Sequence, residues 1–182
     1  MLIFVHGEDT YRSSAYVREQ ITKFKSARDP HGYNTRCVDA SDMEVAELFR
    51  EIKTPPFLAE KRMVVIKNCL SSAKGDVSER LSDLCEKNEI PETTVLLVWQ
   101  TEPVGRSAIT KKLYALLVAA PYVQEFAMLK GASLVQWVGQ EVQRRGGNIE
   151  ASAIHYIANN ALDMWHMVNT LDPLLAYANG RA

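Results

Sequence analysis

Cysteine is scarce in this chain: Cys37, Cys69 and Cys85 are the only three among 182 residues. They are odd in number, far apart and without a C-x-x-C pair, which argues against a disulfide framework or a zinc site and for a reducing, cytoplasmic setting. Long apolar runs are missing as well. The longest, residues 95–99 and 115–120, fall far short of the roughly 20 residues that span a bilayer, so no membrane partner is expected. The opening Met1-Leu2-Ile3-Phe4-Val5 has no basic lead of the kind a signal peptide carries. Net charge is -1, too small for the electrostatic footprint of a nucleic-acid binder. No G-x-S-x-G or other nucleophile motif occurs. What the chain has is apolar content of 47%, enough for a substantial core.

Periodicity organises that content. Short apolar, largely β-branched runs at residues 2–5, 33–38, 63–66, 95–99 and 122–126 predict five strands. Amphipathic helices alternate with them: one capped by Asp9 or Thr10 and running to about Phe24 or Lys25, one capped by Asp42 with Val45, Leu48, Phe49 and Ile52 on one face, and two more around residues 77–85 and 109–117. Asp29-Pro30-His31-Gly32 reads as a chain break, and residues 71–75 as a loop. Strands alternating with helices predict a parallel α/β sheet covered on both faces. After Leu129-Lys130-Gly131 the strand signals cease. Leu134, Val138 and Val142, then Ile154, Ile157 and Ala158, then Met164, Val168, Leu171 and Leu175 mark three helices. The chain therefore divides into an α/β domain over 1–129 and a three-helix domain over 130–182, with Pro173 expected to kink or shorten the last helix.

Chemistry-bearing patterns are weak. A phosphate cradle after the first strand would need glycines and a lysine, G-x-x-x-x-G-K-[ST]. His6-Gly7-Glu8-Asp9-Thr10-Tyr11-Arg12 offers two carboxylates instead, and Gln100-Thr101 stands where an ATPase would place an acidic magnesium site. No catalytic or nucleotide-binding residue is assigned, and no cofactor is called for. His155 and His166 have no third ligand for a metal. Lys111-Lys112 and Arg144-Arg145 read as solvated helix ends rather than phosphate sites.

One segment stands apart. Thr54-Pro55-Pro56-Phe57-Leu58-Ala59-Glu60-Lys61-Arg62 puts two prolines, which fix the backbone and remove two donors, directly before an aromatic–leucine pair. On composition alone such a pair belongs in its own core. The alternative is an anchor for a partner's pocket, presented on a stiff loop.

Three stretches resemble the delta subunit of bacterial DNA polymerase III, a clamp-loader component. They are Ile3-Phe4-Val5-His6-Gly7-Glu8-Asp9-Thr10-Tyr11-Arg12, then Pro56-Phe57-Leu58-Ala59-Glu60-Lys61-Arg62-Met63-Val64-Val65, and the pair Asp163-Met164-Trp165-His166-Met167-Val168-Asn169 and Leu174-Leu175-Ala176-Tyr177-Ala178-Asn179-Gly180. The resemblance implies a P-loop-NTPase-like sheet of the AAA+ type without a working nucleotide site, then a helical lid. A collar domain that joins the loader ring would come next, and it is expected to be absent from a chain ending at Ala182. It also implies that Phe57 and Leu58 bind and help open the sliding clamp (the beta subunit), with Pro55 and Pro56 as loop supports. Sister ATPase subunits would supply the hydrolysis, DNA would be met only within the assembled loader, and the chain would catalyse nothing itself. The sequence departs from the lid motif at Ala161, Thr170 and Pro173. Two other readings stay open: a nucleotide kinase or ATPase with a degenerate phosphate loop, and a non-catalytic adaptor for a different partner.

Overall fold

A computed structural model of the chain describes residues 1–71, 75–160 and 163–179. It falls into two compact units, Met1–Phe126 and Ala127–Ala182. In the first unit, five strands form one parallel sheet: β1 (Leu2–His6), β2 (Thr35–Asp39), β3 (Arg62–Lys67), β4 (Thr94–Trp99) and β5 (Tyr122–Glu125), in the order β2-β3-β4-β1-β5. Between them run α1 (Thr10–Arg28), α2 (Val45–Lys53), α3 (Gly75–Glu86) and α4 (Ala108–Val118).

Strand residues alternate between the two faces because successive side chains point opposite ways. Phe4, Val64, Ile66, Leu96 and Val98 join Leu48, Phe49 and Ile52 of α2, Leu81 and Leu84 of α3, and Leu113 and Leu117 of α4. Val5, Met63, Val65, Val95 and Leu97 meet Val17 and Phe24 of α1 on the opposite face. Central strands buried on both faces account for the unbroken apolar runs of β3 and β4. At about 25 cal/mol per Å² of apolar surface removed from water, these two layers are the main stabilising term.

Two local expectations change. Asp42 does not cap α2, which begins at Val45 after Glu44. Asp42 instead closes a turn, its N–H donating to the Asp39 carbonyl at 3.2 Å, while the Asp39 carboxylate accepts from the Ser41 N–H and hydroxyl. The second strand begins at Thr35, which frees Tyr33 and Asn34 for another role.

The second unit holds α5 (Gly131–Arg144), α6 (Ala151–Asn160) and α7 (Met164–Asn179). α7 buries Met164, Met167, Val168, Leu171 and Leu175 along one stripe and passes through Pro173 without ending. Pro173 and Asn169, whose carbonyl loses its helical donor, both lie on the exposed face, where water can replace the missing bond. Gly146, at φ +72°, turns the chain after α5 in the left-handed conformation that favours glycine. Ala161 lies outside the described residues.

Candidate functional site

The loop from Thr54 to Lys61 leaves α2 and enters β3, and it is fixed at both ends. The Thr54 hydroxyl and N–H donate to the Arg50 carbonyl at 2.7 and 2.9 Å, closing the helix where Pro55 forbids another turn. At the other end, Lys61 Nζ donates to the Glu92 carbonyl at 2.7 Å. Arg62, buried, pairs with Glu51 of α2.

Between these ends the loop tip is held by one side chain. Asn34, 3% exposed, accepts the Phe57 N–H on Oδ1 at 2.6 Å and donates Nδ2 to the Phe57 carbonyl at 3.0 Å. A carboxamide thereby gives Phe57 both backbone bonds that a neighbouring strand would supply. Asn34 is itself fixed by Asp29, also 3% exposed. The Asp29 carboxylate accepts the Asn34 N–H at 3.0 Å, the Thr35 hydroxyl at 2.7 Å and, more weakly, Asn34 Nδ2 at 3.5 Å. Burial pushes the Asp29 carboxyl up, but the bonds from Thr35, Asn34 and the Tyr33 backbone outweigh it and hold the group below its ordinary value. Asp29, read in sequence as part of a chain break, is thus the base of the loop's support.

With the Phe57 backbone held, its side chain and its neighbour's point outward. Phe57 is 60% and Leu58 92% exposed; neither belongs to a core cluster. Leu58 sits at φ +49°, a left-handed conformation that costs a non-glycine residue on the order of 1 kcal/mol and needs its surroundings to hold it. The Tyr33 ring meets Phe57 edge-on at 6.1 Å, and His31 stacks on Tyr33 at 5.8 Å. Tyr33 is also exposed, so the apolar surface extends past the loop tip. Pro55 is exposed and Pro56 half-buried.

The second place to look for chemistry is the β1–α1 turn. Gly7, at φ +121°, lies so close to Phe126 that a Cβ would come within 2.3 Å of its carbonyl oxygen. The Asp9 N–H donates to that same carbonyl at 2.9 Å. Asp9, 1% exposed, accepts the Arg12 N–H at 2.9 Å and pairs with the Arg12 guanidinium at 2.9 Å. The amino end of α1, the natural seat of an anion, already carries the chain's own carboxylate. Glu8 stands exposed beside it. At the end of β4, Gln100 is buried and committed to the Leu70 N–H and the Glu102 carbonyl.

The remaining candidates lie apart. Lys112 pairs with Glu86 at 2.9 Å, and Arg144 and Arg145 both pair with Glu141. His155 and His166 sit on α6 and α7. Among the described residues no three His, Cys, Asp or Glu side chains are grouped to hold a metal ion. Sequence reasoning singled out Phe57 and Leu58, which are exposed, but gave no sign of Asn34 and Asp29, because the pairing of Asn34 with Phe57 spans 23 positions and leaves no local pattern.

The strand order, the two helical layers and the helical unit that follows define an AAA+-like protein. Within that class, the sequence matches the family described as DNA polymerase III, delta subunit, over residues 4–121. That is well over half the chain, and the chain belongs to this family. Among solved structures it is similar to the DNA clamp loader delta protein of Bacillus subtilis, at 15% identity and a TM-score of 0.59, covering 97% of this chain and 53% of that one. The RuvB Holliday junction branch migration motor of Thermotoga maritima matches at 12% identity and a TM-score of 0.58, over 94% of this chain and 52% of that one. Domain III of the replication initiation protein DnaA from the same organism matches at 10% identity and a TM-score of 0.58, over 99% of this chain and 77% of that one. At these identities the likeness is one of fold. The chain spans about half the length of the clamp loader delta protein. No curated protein matches the sequence. Among the described residues no helix is long and apolar enough to cross a membrane.

Proposed function

We propose that this chain is the clamp-binding part of a clamp-loader delta subunit in the bacterial cytoplasm, and that it docks on the sliding clamp through Phe57 and Leu58. The observation that carries this reading is the pairing of exposed apolar side chains with a backbone already fixed by Asn34. Burying a leucine or phenylalanine side chain contributes about 1.5–3 kcal/mol. A loop ordered before docking loses less conformational entropy when it binds. Pro55 and Pro56 restrict the unbound loop in the same direction. Anchors of this kind, large apolar side chains entering a partner's pocket, dominate the energy of small interfaces.

The same reading assigns ATP to the sister ATPase subunits of the loader. A triphosphate approaching the amino end of α1 would meet Glu8 and a helix terminus already capped by Asp9. The chain acts by binding, and it meets DNA only inside the assembled loader. Titration of the chain with its cognate sliding clamp, followed by fluorescence anisotropy, is the test. Saturable one-to-one binding per docking pocket is expected, and absence of binding at tens of micromolar, on the order of 6–7 kcal/mol, overturns the proposal.

A further inference from the structure

The carboxyl ends of β1, β4 and β5 enclose a crevice of about 530 Å³, separate from the 54–61 loop. In open α/β sheets a crevice at the carboxyl ends of the strands, where the strand order reverses, is the usual ligand position. In this chain its charge is opposite to what a phosphate needs. Glu8, Glu102 and Glu125 line it, and no Lys or Arg of the described residues is paired with any of them.

His6 supplies the second observation. It is the register partner of Glu125, it is 8% exposed, and it lines the crevice. Its ring stacks on Phe4 at 4.6 Å and meets Tyr114 at 5.7 Å, yet among the described residues its nitrogens have no hydrogen-bond partner. Neither nitrogen is among the fully enclosed polar atoms, so the ring is open to a partner in the crevice. Hydrogen bonds hold the segment after β4 in place. Asn68, at φ +57°, donates to Glu102 Oε1 at 3.3 Å and accepts from Thr101, and Gln100 is held on two sides.

From this arrangement we infer that the crevice binds a guanidinium group, either an arginine side chain of a partner or a free guanidinium compound. The carboxylates are spread over the ends of three strands, and the described residues hold no cluster suited to ligating a metal ion. A planar fork of five N–H donors can reach separated acceptors and leave a proton for the imidazole nitrogen. It is weakly hydrated and stacks on aromatic faces such as that of Tyr114, which a compact ammonium does less well. Burial lowers the His6 pKa against the opposing pull of Glu125, which keeps the ring a neutral acceptor near pH 7.

The test is a titration of the 182-residue chain with arginine amide, at constant ionic strength, monitored by the His6 imidazole NMR signals. These are assigned by their loss in His6→Gln. A saturable shift is expected, with lysine amide binding at least about threefold more weakly. Glu8→Gln/Glu125→Gln removes two carboxylates that make no hydrogen bond or ion pair among the described residues. It should keep the melting temperature and weaken arginine amide roughly fivefold. A blocked Gly-Arg-Gly peptide binding as well as or better than arginine amide identifies a polypeptide partner; binding of the free compound alone identifies a small molecule. The inference is overturned by no saturable shift, by equal response to lysine amide or magnesium chloride, or by unchanged affinity in the double variant.

Discussion

Replacing Asn34 by alanine asks whether the loop tip is held in place before any partner arrives. Asn34→Ala deletes the 2.6 Å and 3.0 Å bonds to the Phe57 backbone and leaves the Asp29 carboxylate with the Thr35 hydroxyl and the backbone N–H of residue 34. A net hydrogen bond contributes about 0.5–1.5 kcal/mol. Phe57 is more than half exposed, so water can reach its freed N–H and carbonyl, and the loss stays near the middle of that range for each bond. The sum is about 2 kcal/mol, roughly a thirtyfold change in the opening equilibrium of the loop. Amide hydrogen exchange reads this at the Phe57 N–H, which should be protected in the parent chain and exchange some thirtyfold faster in the variant, while β3 and β4 amides keep their protection. Asn34→Asp should not rescue it, since a carboxylate cannot donate to the Phe57 carbonyl and stands beside Asp29. If the Phe57 amide exchanges freely in the parent chain, or equally slowly in Asn34→Ala, the clamp on the loop is not real.

Other outcomes follow from the same geometry. Gly7→Ala combines a clash with the Phe126 backbone and a φ of +121°, and should destabilise by at least about 3 kcal/mol, visible as a large drop in chemical-denaturation midpoint; a shift within experimental error would contradict the packing described. Asp29 titrates below the ordinary 3.8 when folded, so the unfolded chain takes up its proton first as pH falls. Its stabilising contribution is complete above about pH 5 and is lost as pH falls through 3.8 toward the lower folded value. Asp29→Asn should therefore flatten the acid limb of the melting-temperature profile, and an unaltered acid limb would show that this carboxylate is not the group responsible.

Much of the fold is legible in the sequence because burial on both faces leaves a simple trace. Met63-Val64-Val65-Ile66 and Val95-Leu96-Leu97-Val98 can be little else than central strands, and the i, i+3, i+4, i+7 stripe of Val45, Leu48, Phe49 and Ile52 fixes α2. The 54–61 loop is visible for a related reason: two prolines before an aromatic–leucine pair are a local pattern. Its support is not. Asn34 bonds to Phe57 through tertiary proximity, and Asp29 is spelled like any turn residue. Asp42 misled because an aspartate before an apolar stripe reads as a cap, while the nearer Asp39–Ser41 turn takes precedence. Pro173 does not shorten α7, because on the exposed face of the helix water reaches the Asn169 carbonyl that loses its donor. The crevice at His6 gave no motif, since Glu8, Glu102 and Glu125 are brought together only by strand order.

The central claim is that Phe57 and Leu58 face a partner rather than the core, and clamp binding and thermal melting measured on the same Phe57→Ala/Leu58→Ala protein test it most directly. The account predicts a loss of at least about 2 kcal/mol in affinity for the sliding clamp, roughly thirtyfold, as truncated anchors show. Stability should change by no more than about half a kcal/mol, as expected of exposed side chains. A melting temperature that falls by the amount expected for a core phenylalanine, about 3–5 kcal/mol, with clamp affinity retained by the folded protein, would contradict it.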